Sequence, residues 1–126
     1  MTVNSTLDTN TLVGHYLAAW NEKDPATRRA IIDEVWAVQG TYTDPLAAAS
    51  GRDEIDAVIG AAQGQFPDFV FTLGSVEAHH NLARFTWNLG PAGAEALVVG
   101  FDVVVIDDAG QIAAVHGFLD KVPAGL

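Results

Sequence analysis

The sequence predicts an α+β domain, a curved and mainly antiparallel sheet with helices packed on one face. Two observations predict it. Apolar residues recur at helical spacing as far as Phe66-Pro67, and beyond that point they alternate with a period of two. The links between the later apolar runs are short, which makes those strands antiparallel neighbours. The 126 residues suit a single domain, 1–126, with one good core. No repeat or linker divides it.

Each element has its own signal. Leu12, Val13, Tyr16, Leu17 and Trp20 share a stripe, predicting an amphipathic helix over 8–23. Asp24-Pro25 reads as N-cap and first residue of a second helix, with Ile31, Ile32, Val35 and Trp36 on its apolar face. After Gly40 a short strand covers 41–43, ended by Asp44-Pro45 and a flexible loop to Ser50. Ser50-Gly51 opens a third helix that points Ile55, Val58, Ile59 and Ala62 inward. Four strands follow, over 69–78, 82–89, 96–106 and 111–122.

Composition narrows the function. Apolar residues make up 49% of the chain, so it folds as a globule. With no cysteine, disulfides and thiolate metal sites are excluded. The net charge is −10 with only six Lys and Arg, which argues against nucleic acid as a partner. No apolar run approaches the roughly 18–20 residues of a membrane helix. Residues 1–10 lack the basic start and apolar core of a signal peptide. A soluble cytoplasmic protein that binds neither membrane nor nucleic acid is expected.

Asp102 stands alone in the apolar run from Leu97 to Ile106. An ionised carboxylate there must be paired, hydrogen-bonded or protonated. It is either a pocket acid or one half of a buried pair with Arg84 or His116. Alternation places Val98, Gly100, Asp102, Val104 and Ile106 on one face, and Val99, Phe101, Val103 and Val105 on the other. In the neighbouring strands Ala83, Phe85, Trp87 and Leu89 share a face, as do Ile112, Ala114, His116, Phe118 and Asp120. Both sheet faces are therefore apolar. The face without helices is expected to pair with a second copy as a homodimer. His79-His80 reads as a solvated turn, and 107–110 as a turn too local for a calcium loop.

Several segments resemble the SnoaL-like and ketosteroid-isomerase-like proteins of the nuclear transport factor 2-like superfamily. They are His15 to Asp24, Thr41 to Pro45, Gly51 to Ile55, Phe101-Asp102, Asp108 to Ile112 and Gly117 to Asp120. The likeness runs over about residues 8–122. It implies a cone-shaped α+β barrel, three N-terminal helices on a strongly curved sheet, with an apolar pocket at the open end. It implies that Tyr16 donates to a substrate oxygen, that Asp44 is the base, and that Asp102 is a second donor kept protonated by its apolar site. His116 takes a last-strand position where relatives place polar catalytic groups. The expected pocket is walled by Trp20, Trp36, Tyr42, Ile59, Phe66, Trp87, Gly100 and Phe118.

The expected function is a cofactor-independent, metal-free acid–base enzyme of isomerase or cyclase type. Its partner is a small hydrophobic carbonyl compound. Removing a proton beside a carbonyl needs a base near the carbon and donors near the oxygen. Tyr16, Asp44 and Asp102 supply those roles. The alternatives are a non-catalytic binder of small hydrophobic molecules, an epoxide-hydrolase-type activity, and a purely structural dimerisation module.

Overall fold

Asp24 fixes the corner between the first two helices. Its carboxylate accepts from the Thr27 backbone N–H at 2.9 Å and the Thr27 hydroxyl at 2.7 Å, while Pro25 supplies a preset φ at the first helical position. The structure, a computed structural model, describes residues 9–124. The expected helix start at Asp8 lies outside the described residues, as does the chain's last pair.

Helix α1 (Thr9–Asn21) buries Val13, Tyr16, Leu17, Ala19 and Trp20. Helix α2 (Pro25–Val35) buries Ile32 and Val35. The Arg52 guanidinium donates to the carbonyls of Trp36 and Asp33 and so closes the end of α2. Trp36, expected on the face of α2, is instead extended and opens strand β1 (Trp36–Asp44). Its ring still fills the core, because the change of backbone at the helix end leaves it fully buried.

The segment after Asp44 is also ordered. Pro45-Leu46 makes a two-residue turn, and strand β2 (Ala47–Ser50) pairs antiparallel with β1. The expected flexible loop is overturned by the Asp44 side chain. Its Oδ1 accepts the backbone N–H groups of Leu46 and Ala47, both at 2.8 Å, and locks the turn. Helix α3 (Arg52–Gln65) follows, with Glu54 reaching back to the Ser50 N–H at 2.8 Å. It buries Ile55 and Ile59.

Strands β3 (Phe69–His79), β4 (Leu82–Pro91), β5 (Val98–Ile106) and β6 (Ile112–Lys121) match the predicted runs to within two residues. The six-stranded sheet has the order β2-β1-β6-β5-β4-β3. Only β1 and β6 run parallel, which brings the end of β1 beside the last strand. The three helices and six-stranded curved sheet of the described residues make the expected α+β cone. The core lies between the helices and the concave face, around Tyr16, Ile32, Trp36, Ile55, Ile59 and Phe85.

One irregularity decides which residues face that core. Val105 pairs with Ala114 but Ile106 pairs with Ile112, so β6 carries an extra residue at Ala113. A bulge of one residue reverses the alternation beyond it. Ile112 points inward as expected, but from there Val115, Gly117 and Leu119 are the inward set. His116 and Phe118 are thrown to the convex face. There Phe118 is 51% exposed, stacked on Phe101 at 5.1 Å between ring centroids.

Candidate active site

Asp102 is 3% exposed, the one buried charged side chain among the described residues. It lies in the middle of β5, between Phe85 of β4 and Gly117 of β6. Among the described residues no cation pairs with it. Arg84 forms its ion pair with Glu77 on the outside of the sheet, and His116 is on the wrong face. The partners of Asp102 are neutral donors. The Tyr16 hydroxyl donates to Oδ2 at 2.7 Å, and the Trp87 indole N–H donates to Oδ1 at 3.1 Å.

A second acid faces the first. Tyr42 and Asp44 are two apart in β1, so both side chains leave the same face. The Tyr42 hydroxyl donates to Asp44 Oδ2 at 2.6 Å. With two N–H groups on Oδ1, three of the roughly four lone-pair sites of the carboxylate are filled, and the free one is on Oδ2. Gly117 stands between the acids. A β-carbon there would lie 2.8 Å from Asp102 Oδ1 and 3.3 Å from the Asp44 β-carbon. The absent side chain is what lets the two acids share one space.

That space is the inner end of a cavity of about 560 Å³, counted with its open mouth. Tyr16, Asp44 and Asp102 all line it, with Trp20, Tyr42, Phe66 and Trp87 as walls. Trp36 and Ile59 do not reach it. They are fully buried behind it, with the Trp36 ring 5.1 Å from Tyr16 as a backstop. Gly100 does not line it either. It gives the Trp87 ring room, since a β-carbon there would collide with that ring. His116 and Phe118, expected in the site, are excluded by the β6 bulge.

Among the wall residues that sequence reasoning missed are Leu17, Leu46, Phe71 and Leu119. Leu17 follows Tyr16 on the helix stripe and was within reach of the pattern. Leu46 depends on the unforeseen turn, and Leu119 and Gly117 on the unforeseen bulge.

The electrostatics follow from burial. Asp102 is pushed up to about 6, chiefly because its charge is withdrawn from water. The bonds from Tyr16 and Trp87 pull it back down, and the Asp44 charge adds a further push upward. Tyr16 is raised well above its ordinary value by burial and then by the Asp102 charge. Tyr42 is raised by burial, then by Asp102 and Asp44. Both hydroxyls therefore keep their protons and act as donors, while Asp102 exchanges its proton near neutrality.

The raised Asp102 value has a consequence for stability. Its folded value lies above its unfolded one, so its contribution is full below about pH 4 and is lost as pH rises through about 6. The loss amounts to about 3 kcal/mol. Asp102→Asn removes this dependence. Denaturant melts should show the variant gaining on the wild type by about that much between pH 4 and pH 8. A difference that stays constant with pH would contradict the assignment.

The profile of the SnoaL-like domain family matches residues 13–115. No curated protein matches the chain. Among solved structures, a candidate isomerase of the SnoaL-like family from Agrobacterium tumefaciens str. C58 is 40% identical. The match covers 88% of this chain and 96% of that one, with a TM-score of 0.84. A candidate polyketide cyclase from Sinorhizobium meliloti is 19% identical over 91% of this chain and 99% of its own, with a TM-score of 0.70. A candidate ketosteroid isomerase from Kribbella flavida DSM 17836 is 18% identical over 92% and 80%, with a TM-score of 0.67. The last two share the fold alone.

Proposed function

Because the chain belongs to the SnoaL-like domain family, we propose that it is a cofactor-free acid–base enzyme. It moves a proton beside the carbonyl of a small hydrophobic compound, as an isomerase or a cyclase does. The observation that carries this is the meeting of two acid–tyrosine pairs, Tyr16–Asp102 and Tyr42–Asp44, across Gly117 at the inner end of an apolar cavity.

In this reading Asp44 is ionised and takes the α-proton on its free Oδ2 site. The two N–H bonds on Oδ1 fix the direction of that oxygen, so the base is rigid rather than mobile. Negative charge then develops on the substrate oxygen. Tyr16 and a protonated Asp102 donate to it. An apolar ligand in the cavity removes more water from Asp102 and favours its neutral form, which gives the second donor when it is needed. The proton on Asp44 is returned to another carbon in an isomerase, while in a cyclase the enolate attacks a second carbonyl, whose π bond breaks, and the resulting alkoxide takes the proton back from Asp44.

The test is a panel of β,γ-unsaturated ketones, polyketide-like 1,3-diketones and epoxides, incubated in D₂O and followed by NMR and mass spectrometry. Exchange or rearrangement of a ketone at least ~10²-fold over buffer is expected, the scale of a positioned acid–base group. It should be unchanged by a chelator. Opening of the epoxides alone would favour hydrolase chemistry. No turnover on any compound, with a hydrophobic dye still bound, would replace the enzyme reading with the binding-protein one. The three bonds that hold Asp44 in its turn are the observation that favours that rival.

We also propose that two copies pair through the convex face. Val99, Phe101, Val103 and Val105 are only half-buried there and Phe118 is exposed. Sedimentation at micromolar concentration should give a homodimer, and Phe118→Glu should give a monomer. A monomeric wild type would contradict it. No described helix is long and apolar enough to cross a membrane.

A further inference from the structure

We propose that Trp87 is a positioning residue for the acid. Its indole N–H keeps Asp102 Oδ1 as the accepting oxygen of the neutral carboxyl, so that the proton stands on Oδ2, beside the Tyr16 hydroxyl. This deepens the acid–base reading and rests on it for the use made of that proton. The argument is one of hydrogen-bond polarity. A neutral carboxyl has one O–H donor and leaves its acceptor capacity chiefly on the other oxygen. The indole can only donate, and it donates to Oδ1 at 3.1 Å. A proton on Oδ1 would weaken that bond. Oδ1 also lies against Gly117, where even a β-carbon would come within 2.8 Å. Oδ2 faces the Tyr16 hydroxyl at 2.7 Å, a group that can both give and take. Two donors thus stand side by side where a ligand oxygen can meet both.

The local sequence builds this contact. Trp87 of β4 pairs with Gly100 of β5, and Phe85 pairs with Asp102. Trp87 and Asp102 are therefore diagonal neighbours on one face, within reach of a long side chain. A β-carbon at Gly100 would strike the indole, so the glycine lets the ring lie across β5 to the acid. The Phe71 ring packs on the indole, steeply inclined, with centroids 5.5 Å apart. Asn21 holds Phe71 in turn, accepting its N–H at 2.8 Å and donating to its carbonyl at 2.9 Å. Trp87 lines the cavity, yet its N–H is spent on the acid.

Asp102→Asn makes the orientation visible, because the amide NH₂ must take the place of the O–H group. Its ¹⁵N-labelled side-chain signals are identified by difference from the wild type. The NH₂ protons should show stronger contacts to the Tyr16 ring than to the Trp87 indole N–H. An NH₂ group facing Trp87 would overturn the proposal.

For the acid itself, Trp87 is exchanged for benzothienylalanine, which keeps the shape of the ring and has sulfur in place of N–H. On an active ketone kcat should fall about tenfold, the usual scale of one hydrogen bond, with KM little changed. The alkaline limb of the kcat profile, which Asp102→Asn should abolish, should move to higher pH, because a donor to the ionised carboxyl has gone. Tyr16 faces Asp102 from α1, and Tyr42 and Asp44 face it from β1; the exchange leaves all three in place. A merely loosened cavity would admit water, slow the reaction and move the limb the other way. An unchanged kcat, or a limb that stays or falls, would overturn the proposal. Should that protein fail to fold, the Asp102→Asn spectrum decides alone. Absence of turnover on every ketone, with the amide NH₂ at Tyr16, would sink the acid–base reading and leave the placement of the proton standing.

Discussion

Asp44→Asn is expected to lose about 10²–10⁴-fold in kcat, the range assigned to a positioned acid–base group. The substitution keeps the shape of the site. The Asn carbonyl oxygen can still accept the N–H groups of Leu46 and Ala47 that lock the turn. Its amide can donate to the Tyr42 hydroxyl, which turns from donor to acceptor. Fold and ligand affinity should therefore survive, and only the proton acceptor is removed. Thermal melts and dye binding control for structure, and the progress of deuterium exchange on an active ketone gives the rate. Turnover that persists unchanged in Asp44→Asn would rule the residue out as the base.

Tyr16→Phe is expected to cost about 10²–10³-fold in kcat with little change in KM, the pattern of a donor whose bond strengthens in the transition state. It has a second effect that a merely structural tyrosine would share only in part. In the free protein Tyr16 is the stronger of the two donors that favour ionised Asp102. Without it Asp102 holds its proton to higher pH. The fall in stability that accompanies Asp102 ionisation should still begin near pH 4 but extend to higher pH and deepen. An Asp102 titration unmoved by the substitution would break the link between the two residues.

The fold was legible because its strongest signals are local. The change of period after Pro67, the cap at Asp24-Pro25 and the apolar run around Asp102 each report on a single element. The resemblance of Tyr16, Asp44 and Asp102 to family positions led to residues that do share one cavity. What stayed hidden depends on pairings between distant segments. The extra residue at Ala113 is defined only by the register of β6 against β5. Nothing within 111–122 marks it, and it moves His116 and Phe118 out and Gly117 in. Strand β2 consists of Ala47, Ala48, Ala49 and Ser50, weak strand formers that pair because the Asp44 carboxylate makes the turn before them. Trp36 has the right spacing for the apolar face of α2, but the Arg52 side chain, sixteen positions on, takes its carbonyl where a further helical turn would begin.

The central claim is that one ligand is held by Tyr16 and Asp102 at its oxygen while Asp44 faces the neighbouring carbon. A crystal structure with 2-naphthol, a flat mimic of an enol, tests it most directly. The account predicts the naphthol oxygen within about 2.5–3.0 Å of both the Tyr16 hydroxyl and the Asp102 carboxyl, with the adjacent ring carbon turned to Asp44 Oδ2. Naphthol seated with its oxygen out at the mouth near Leu46 and Phe66, or on the convex face of the sheet, with the Tyr16–Asp102 bond undisturbed, would contradict it.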